Sequence, residues 1–391
     1  MHVGVCSSLA TGKVFLTLLG VATITMVFPG GDMALSQRGT GTSAQAPLIT
    51  AINLHPRGFT KSYALGVSRG LQVGVGVAPG DFNHALLWRG SAASVVHLDP
   101  TGMAAEVHGA CGEQQVGYGT GPTMAGTAHA LLWRGTAASV VDLNPNGFDG
   151  SVALGTSGGQ QVGAGNGHAL LWRGTAASVV DLHPRGFTSS RALATSGAEQ
   201  VGYGDLSRNG RNYHHALLWR GTAASLVDLH PRGFSSSEAL GVAGGQQVGH
   251  GSGPVTGAFS DSGVLAGIFH DHALLWHASA ASVVDLNSPG LDESQANATN
   301  GEEQVGIGDG PATRGEAHAL LWRGGAASVT DLHTFLPPGF VHSSALAIDG
   351  AGNVVGSAST LTGPSGDDYA ILWKRTLPRY GTSQKQNTSG C

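Results

Sequence analysis

The chain has 391 residues, 63 of them glycine, and its 20 Lys and Arg against 25 Asp and Glu leave a formal net charge of −5. The basic residues form no cluster. Because nucleic acid is bound by a basic face, it is not an expected partner. The many Gly-x-Gly strings are not followed by predicted helices, which argues against a nucleotide site. The 3 cysteines are too few for a disulfide-dense scaffold.

The N-terminus has the pattern of an export signal. Lys13 precedes an apolar run over residues 14–28, and Ala34-Leu-Ser36 is a small-residue cleavage site. Residues 1–36 are therefore predicted to be a signal peptide, with an uncleaved membrane anchor as the alternative, and residues 37–47 a linker. A secreted or cell-surface protein is the expected outcome.

A short phrase, first seen as His84-Ala-Leu-Leu-Trp88, recurs along the rest of the chain. A spacing of about forty to fifty residues marks an architecture of repeated supersecondary units. Three further segments recur between the copies: a Val-Val-Asp-Leu-His-Pro segment, a Ser-x-Ala-Leu segment and a Gln-Val-Gly segment. All are short, rich in Val and Leu and bounded by Gly, Pro or Asn, which predicts strands joined by tight turns. The copies end at Trp88, Trp133, Trp172, Trp219, Trp276, Trp322 and Trp373.

Four strands repeated seven times predict an all-β fold, a seven-bladed β-propeller over residues 48–374. The segment beginning at Leu48 and the segment ending at Trp373 are expected to pair or to lie in neighbouring blades, which closes the ring. Residues 375–391 are predicted to be a disordered tail, and the protein is predicted to be a monomer. The approximate predicted blades are 48–89, 90–134, 135–173, 174–220, 221–277, 278–323 and 324–374.

The repeat resembles the HAF repeat of extracellular bacterial proteins. The resemblance covers roughly residues 48–374 and is closest in the last copy, Ala345-Leu-Ala-Ile-Asp-Gly-Ala-Gly-Asn-Val-Val-Gly356. Leu stands at most positions where the family name expects Phe. The resemblance implies an extracellular propeller-like repeat domain and no particular activity.

Serine, histidine and aspartate recur together in the units, as at His168, Asp181 and Ser190. A nucleophile, its base and an orienting acid have this composition, but an enzyme needs one such set. A set present in every unit indicates a structural network, as in WD-repeat propellers, which the arrangement resembles and where Trp joins Ser, His and Asp. Equivalent histidines of different blades are too far apart to share one zinc ion. No metal site is therefore predicted, although His214 with His215 and His270 with His272 are local pairs.

Function is expected where the copies differ, because binding residues usually lie on loops of a rigid scaffold. The connection between the Gln-Val-Gly strand and the Trp strand is nearly absent in the third unit, at residues 166–167. It is long in the fourth unit (205–214), the fifth (252–271) and the seventh (357–368). Residues 252–271 read either as a functional hairpin or as a decayed repeat. The predicted ligand-binding residues are Arg208, Asn209, Arg211, Tyr213, His214, Phe259, Asp261, Phe269, His270 and Asp271.

These patterns are compatible with three functions. The first is a secreted or cell-surface non-catalytic binding module that recognises a glycan, a peptide or an envelope component through the variable loops on one propeller face, so an extracellular glycan or protein is the expected partner. The alternatives are a carbohydrate-active or other hydrolytic enzyme on a propeller scaffold, which needs suitably spaced carboxylates, and a purely structural surface protein. No catalytic residue and no cofactor are predicted; Asp367 and Asp368 form a candidate calcium pair without further support.

Overall fold

The computed structural model describes residues 13–16, 24–27, 48–80, 82–124, 126–208, 211–253, 270–360 and 367–376. Within the predicted signal peptide, Lys13–Leu16 and Ile24–Val27 pair as antiparallel strands. The rest of the signal peptide and the predicted linker lie outside the described residues, so cleavage stays a prediction. No helix in the described part of the chain is long and apolar enough to cross a membrane.

Seven antiparallel sheets of four strands form a ring, which confirms the predicted seven-bladed propeller. Blades 1 to 4 consist of Lys61–Ser68, Leu71–Ala78, Phe82–Trp88, Val96–His97; Ala104–Cys111, Gln114–Thr120, His129–Trp133, Val141–Asp142; Ser151–Ser157, Gln160–Gly165, His168–Trp172, Val180–Asp181; and Ser189–Thr195, Gln200–Arg208, Arg211–Trp219, Val227–Asp228. Blades 5 to 7 consist of Ser236–Ala243, Gln246–Ser252, Asp271–Trp276, Val284–Asp285; Glu293–Thr299, Gln304–Asp309, His318–Trp322, Thr330–Asp331; and His342–Ile348, Val354–Ser359, Asp368–Thr376, Leu48–Asn53.

The ring closes inside blade 7. Leu48–Asn53 is the fourth strand of that blade and pairs antiparallel with Asp368–Thr376, with Leu48 opposite Thr376. The expected pairing of the first and last segments is therefore confirmed. The closing strand runs two residues into the predicted tail, because the ladder with Leu48 and Ile49 holds Arg375 and Thr376 in place.

The sheets group the strands differently from the predicted blade boundaries. Each Val-Asp strand pairs with the Trp strand that precedes it, as Val180–Asp181 does with Leu170 and Leu171. The Val-Asp strand is thus the last strand of one blade instead of the first strand of the next. The cause is the short 3₁₀ turn between them, Ala176–Ser178 in blade 3, which reverses the chain at once.

The first strand of each blade lies at the axis. First strands contact the first strands of both neighbouring blades all the way round, including Lys61–Ser68 against His342–Ile348 across the closure. Each first strand carries a β-bulge at the same repeat position, such as the register shift between Ala153 and Gly155 in blade 3. A bulge bends a strand and increases its twist, which suits the crowded centre of a ring.

The core lies between neighbouring blades. Leu132 and Leu143 of blade 2 pack against Ala153, Leu170 and Trp172 of blade 3, all fully buried. The equivalent clusters repeat around the ring, and the seven Trp side chains are at most 1% exposed. Sheet faces bury apolar area against each other, which is the main stabilising term of the fold.

The described residues form no α-helix, only short 3₁₀ turns between strands. Cys111, at the end of the first strand of blade 2, is disulfide-bonded; its partner lies outside the described residues. The 3₁₀ turns are Ala92–Ser94, Pro122–Met124, Ala137–Ser139, Ala176–Ser178, Ala223–Ser225, Ala280–Ser282, Pro311–Thr313, Ala326–Ser328 and Leu332–Phe335.

Candidate functional site

The repeated Ser, His and Asp side chains connect neighbouring blades. In blade 3, His168 Nδ1 lies 2.8 Å from Asp181 Oδ2, and His183 Nδ1 lies 2.8 Å from Ser190 Oγ. Ser190 belongs to blade 4, and its hydroxyl accepts the backbone N–H of Ala169 in blade 3 at 3.0 Å. Equivalent serines accept the same N–H at five other junctions between blades. The structural interpretation of this set is thus supported.

The tryptophans do not share that network, contrary to the expectation from WD-repeat propellers. Trp322 Nε1 donates to Ser288 Oγ at 3.1 Å and Trp373 Nε1 to the Leu332 carbonyl at 2.9 Å. The other five indole N–H groups are buried without a hydrogen-bond partner among the described residues. Their contribution is therefore apolar packing.

The predicted ligand-binding residues fall into three groups. Arg208 and Arg211 are paired in the backbone register at the end of an extended hairpin in blade 4. Tyr213 lies half-buried in the same hairpin. His214, His270 and Asp271 are described below. The remaining four, Asn209, Phe259, Asp261 and Phe269, lie outside the described residues.

His214 lies between two blades. Its Nδ1 is 2.6 Å from Glu238 Oε1 of blade 5, its Nε2 is 3.4 Å from Asp205 Oδ1, and its ring stacks on Tyr203 at 4.9 Å between centroids. His214 therefore connects blades 4 and 5. Ligand binding by His214 stays a prediction.

His270 and Asp271 occupy the next junction. His270 Nδ1 lies 3.4 Å from Glu293 Oε1 of blade 6, and Asp271 Oδ1 accepts the Ser252 hydroxyl at 2.5 Å. Ligand binding by these two residues stays a prediction.

A notch of about 330 Å³ lies beside blade 3, on the face that carries the variable connections. The sequence opens it in two ways. The turn at Asn166 and Gly167 leaves the blade without a covering loop, and blade 3 has the small residues Val152 and Ala164 at positions where blade 4 has Arg191 and Tyr203. All six residues line the notch.

Blade 2, the neighbour of blade 3, carries a bonded tyrosine–glutamate pair. Tyr118 Oη donates to Glu106 Oε2 at 2.7 Å, and Asn83 Nδ2 of blade 1 donates to Glu106 Oε1 at 2.6 Å. His108 Nε2 lies 3.2 Å from Glu106 Oε2, and its ring stacks on Tyr118 at 5.3 Å.

These contacts fix the protonation of the pair. The hydrogen bond from His108, followed by those from Tyr118 and Asn83, lowers the pKa of Glu106 although burial opposes the change. Burial and the bond to Glu106 raise the pKa of Tyr118. The negative charge therefore stays on Glu106 and the proton on the phenol.

Arg191 lies in blade 4, on the opposite side of blade 3. Its side chain is exposed and has no hydrogen bond or ion pair within the described part of the chain. Burial raises the pKa of both Tyr118 and Tyr203, and the Arg191 charge opposes that rise in each. The field of this guanidinium thus acts on a tyrosine of blade 2 as well as on Tyr203 of its own blade.

Sequence reasoning searched the long connections and missed the notch. The available signal was the absence of a loop in the third unit, together with a position at the start of the first strand that holds six residue types in seven copies. A missing loop leaves the strand ends beneath it open to solvent. The shortest connection is therefore as good an indication of a binding site as the longest. That variable position is occupied by Tyr63, Glu106, Val152, Arg191, Glu238, Gln295 and Ser344.

Metal binding has one geometric candidate among the described residues, and it is not one of the histidine pairs considered from the sequence. His84, His97 and Asp99 present ligand atoms within 4.8 Å of one another. In the candidate calcium pair, Asp368 Oδ2 accepts the Tyr63 hydroxyl at 2.5 Å and lies 3.8 Å from Lys61 Nζ.

No family model matches the chain, so the HAF resemblance stays a prediction. No curated protein matches it. Solved structures with a similar fold include the propeller domain of the trilobed protease from Pyrococcus furiosus, at a TM-score of 0.45 and 8% identity over 83% of this chain and 100% of that one. The acylaminoacyl peptidase from Pyrococcus horikoshii has a TM-score of 0.43 at 13% identity, over 84% of this chain and 54% of that one.

A puromycin-hydrolysing peptidase from Mycobacterium tuberculosis has a TM-score of 0.32 at 13% identity, over 81% of this chain and 58% of that one. The chain spans about half the length of these two peptidases. The prediction of a non-catalytic binding module is corrected, because the similar propellers belong to peptidases. At such identities the likeness concerns the fold alone, so the reaction must be argued from the site.

Proposed function

We propose that the protein is an extracellular hydrolase on a propeller scaffold, which cleaves a glycosidic bond in an acidic glycan at the notch beside blade 3. One observation carries the proposal. A tyrosine bonded to an ionised glutamate, Tyr118 with Glu106, lies in the blade next to the notch, and the charge of Arg191 in the notch lining acts on its phenol. Arg191 has no acceptor among the described residues, and a carboxylated sugar offers it one.

The two sides of the notch have different tasks in this proposal. Arg191 binds the sugar carboxylate through two parallel N–H bonds, which fixes the ring above Val152 and Ala164. Tyr203 offers an aromatic face next to it. Binding energy at the carboxylate orients the anomeric carbon toward blade 2.

Tyr118 then acts as the nucleophile and Glu106 as its base. As the phenolic oxygen bonds to the anomeric carbon, its proton passes to Glu106, and the bond to the leaving oxygen breaks; that oxygen takes a proton from solvent. In the second step water attacks the anomeric carbon and its bond to the phenolic oxygen breaks; one proton of the water passes to solvent, and Glu106 returns its proton to the phenolate. A tyrosine nucleophile is an established exception among glycosidases, and a raised phenol pKa requires such an adjacent base.

The test is an assay on chromogenic glycosides of acidic sugars, with the neutral analogues alongside. Hydrolysis of an acidic substrate is expected, and Tyr118→Phe and Glu106→Gln should each lower kcat by about 10²–10⁴-fold. Arg191→Ala should raise KM for the acidic substrate and leave the hydrolysis of its methyl ester unchanged.

Tyr63→Phe is the matched control, because Tyr63 also bonds a carboxylate, Asp368, but belongs to blade 1, which is not adjacent to blade 3. It should retain full activity. The proposal is wrong if the folded wild-type protein hydrolyses no glycoside, or if Tyr118→Phe is as active as Tyr63→Phe.

A further inference from the structure

The junction between blades 1 and 2 departs from the network that joins the other blades. The first complete copy of Val-Val-Asp-Leu-His-Pro has His97 and Asp99, so histidine and aspartate have exchanged places. Ala105 stands where other blades have the network serine. Asp99 Oδ1 therefore accepts the backbone N–H of Ala85, which a serine hydroxyl accepts elsewhere.

The exchange brings three metal-binding side chains together. Asp99 Oδ2 lies 2.8 Å from Nδ1 of His84 and 3.8 Å from Nδ1 of His97. The Asp99 side chain is 10% exposed and the His97 side chain 52% exposed. The junction thus combines a fixed, buried carboxylate with an imidazole that solvent reaches.

These distances suit a tetrahedral divalent ion. With zinc–ligand bonds near 2.1 Å, neighbouring ligand atoms are roughly 3.4 Å apart, between the two distances found around Asp99. The N–H of Ala85 holds the second carboxylate oxygen, the kind of outer contact that orients metal ligands. We propose that His84, His97 and Asp99 bind one divalent cation of the zinc type, with a fourth coordination position left open.

The surroundings offer a path for the ion. His84 also lines a cavity of about 710 Å³ between blades 1 and 2, together with Asn83, Met103 and Thr120. Histidine binds a metal through a neutral ring nitrogen, so metal binding displaces any proton on that atom.

At the other junctions that the structure describes, the equivalent of Asp99 is either a histidine already bonded to the network serine or an asparagine. In blade 3, His183 bonds Ser190 Oγ at 2.8 Å and stacks on His168 at 4.1 Å between ring centroids. Blade 3 therefore provides an internal control with the same residue types.

The experiment uses the full chain after treatment with a chelator. Zn²⁺ is titrated by calorimetry, and Co²⁺ by visible absorption, into the wild type, His97→Asn and His183→Ala. His97→Asn removes the imidazole at an exposed position and introduces the residue that the closing segment has there, Asn53, so folding, checked by circular dichroism, should be retained.

Wild type and His183→Ala should bind one equivalent that His97→Asn lacks or binds at least 10-fold more weakly. Equal uptake by the wild type and folded His97→Asn would overturn the proposal, as would the absence of binding to the wild type at pH 7.5. Glycoside hydrolysis does not enter this readout, so the site stands or falls independently of the notch.

Discussion

At the scale of single residues, His183 shows how a partly buried group of the network links stability to pH. Burial, followed by the charge of His168, lowers the pKa of His183, against the opposing effect of Asp181. The unfolded chain therefore binds this proton more readily than the folded one, so the stability contribution is complete above about pH 6.5 and is lost as the pH falls further.

The repeat itself supplies a non-titrating replacement for His183. In blade 2, Asn144 Oδ1 accepts the Ser151 hydroxyl at 2.7 Å, and Asn144 Nδ2 donates to the Phe148 carbonyl at 3.2 Å. His183→Asn should match the wild type in unfolding free energy at pH 8 and lose less of it at pH 5, measured by urea unfolding. A pH dependence identical to that of the wild type would contradict this origin of the effect.

At the scale of the element, each second strand approaches the bulged first strand so closely that only glycine fits. A Cβ on Gly163 would lie 1.9 Å from the Val152 carbonyl oxygen, and the glycines at this position in the other six blades meet the same obstacle. These glycines belong to the Gln-Val-Gly segment that recurs in the sequence. The reason that glycine is required there is the close approach of the paired first strand.

Gly163→Ala should therefore lower the unfolding free energy by about 1–3 kcal/mol or more, because the strand pair must separate. Gly325→Ala is the control: nothing lies within 4 Å of its Cβ position, and its φ of −167° is extended backbone. Chemical denaturation of both variants measures the difference. Similar stabilities would show that the strands separate without cost.

At the scale of the whole molecule, one strand closes the ring. Leu54 N–H donates to the Ala370 carbonyl, and alternate residues of an antiparallel strand direct their N–H groups to the partner. The N–H of Ile52 therefore faces Leu372, with which it pairs, whereas that of Ala51 points away.

Ile52→Pro should lower the unfolding free energy by about 1–3 kcal/mol, since it leaves the buried Leu372 carbonyl without a donor. Ala51→Pro removes an N–H that the ladder does not use and should cost much less. Thermal unfolding followed by tryptophan fluorescence compares the two. Equal midpoints would mean that this strand does not hold the ring closed.

The sequence by itself determined the number of blades, the all-β class and the meeting of Leu48 with the last tryptophan strand. These follow from local information, because strand preference and turn residues act over a few positions and the repeat period counts the copies. It also indicated that the recurring Ser, His and Asp are structural, since a set found in nearly all blades has a task that those blades share.

Only the tertiary structure decided which strand lies at the axis, where one blade ends and the next begins, and which side chains meet across a junction. Tyr118, Val152 and Arg191 belong to three successive blades, and their relation depends on how the ring packs those blades. His97 and Asp99 show the same limit within one segment. The sequence shows that histidine and aspartate have exchanged places, but only the structure shows that Asp99 accepts the N–H of Ala85 in place of the serine that Ala105 replaces. Side chains on separate sheets meet through packing between blades, which the repeat period does not specify.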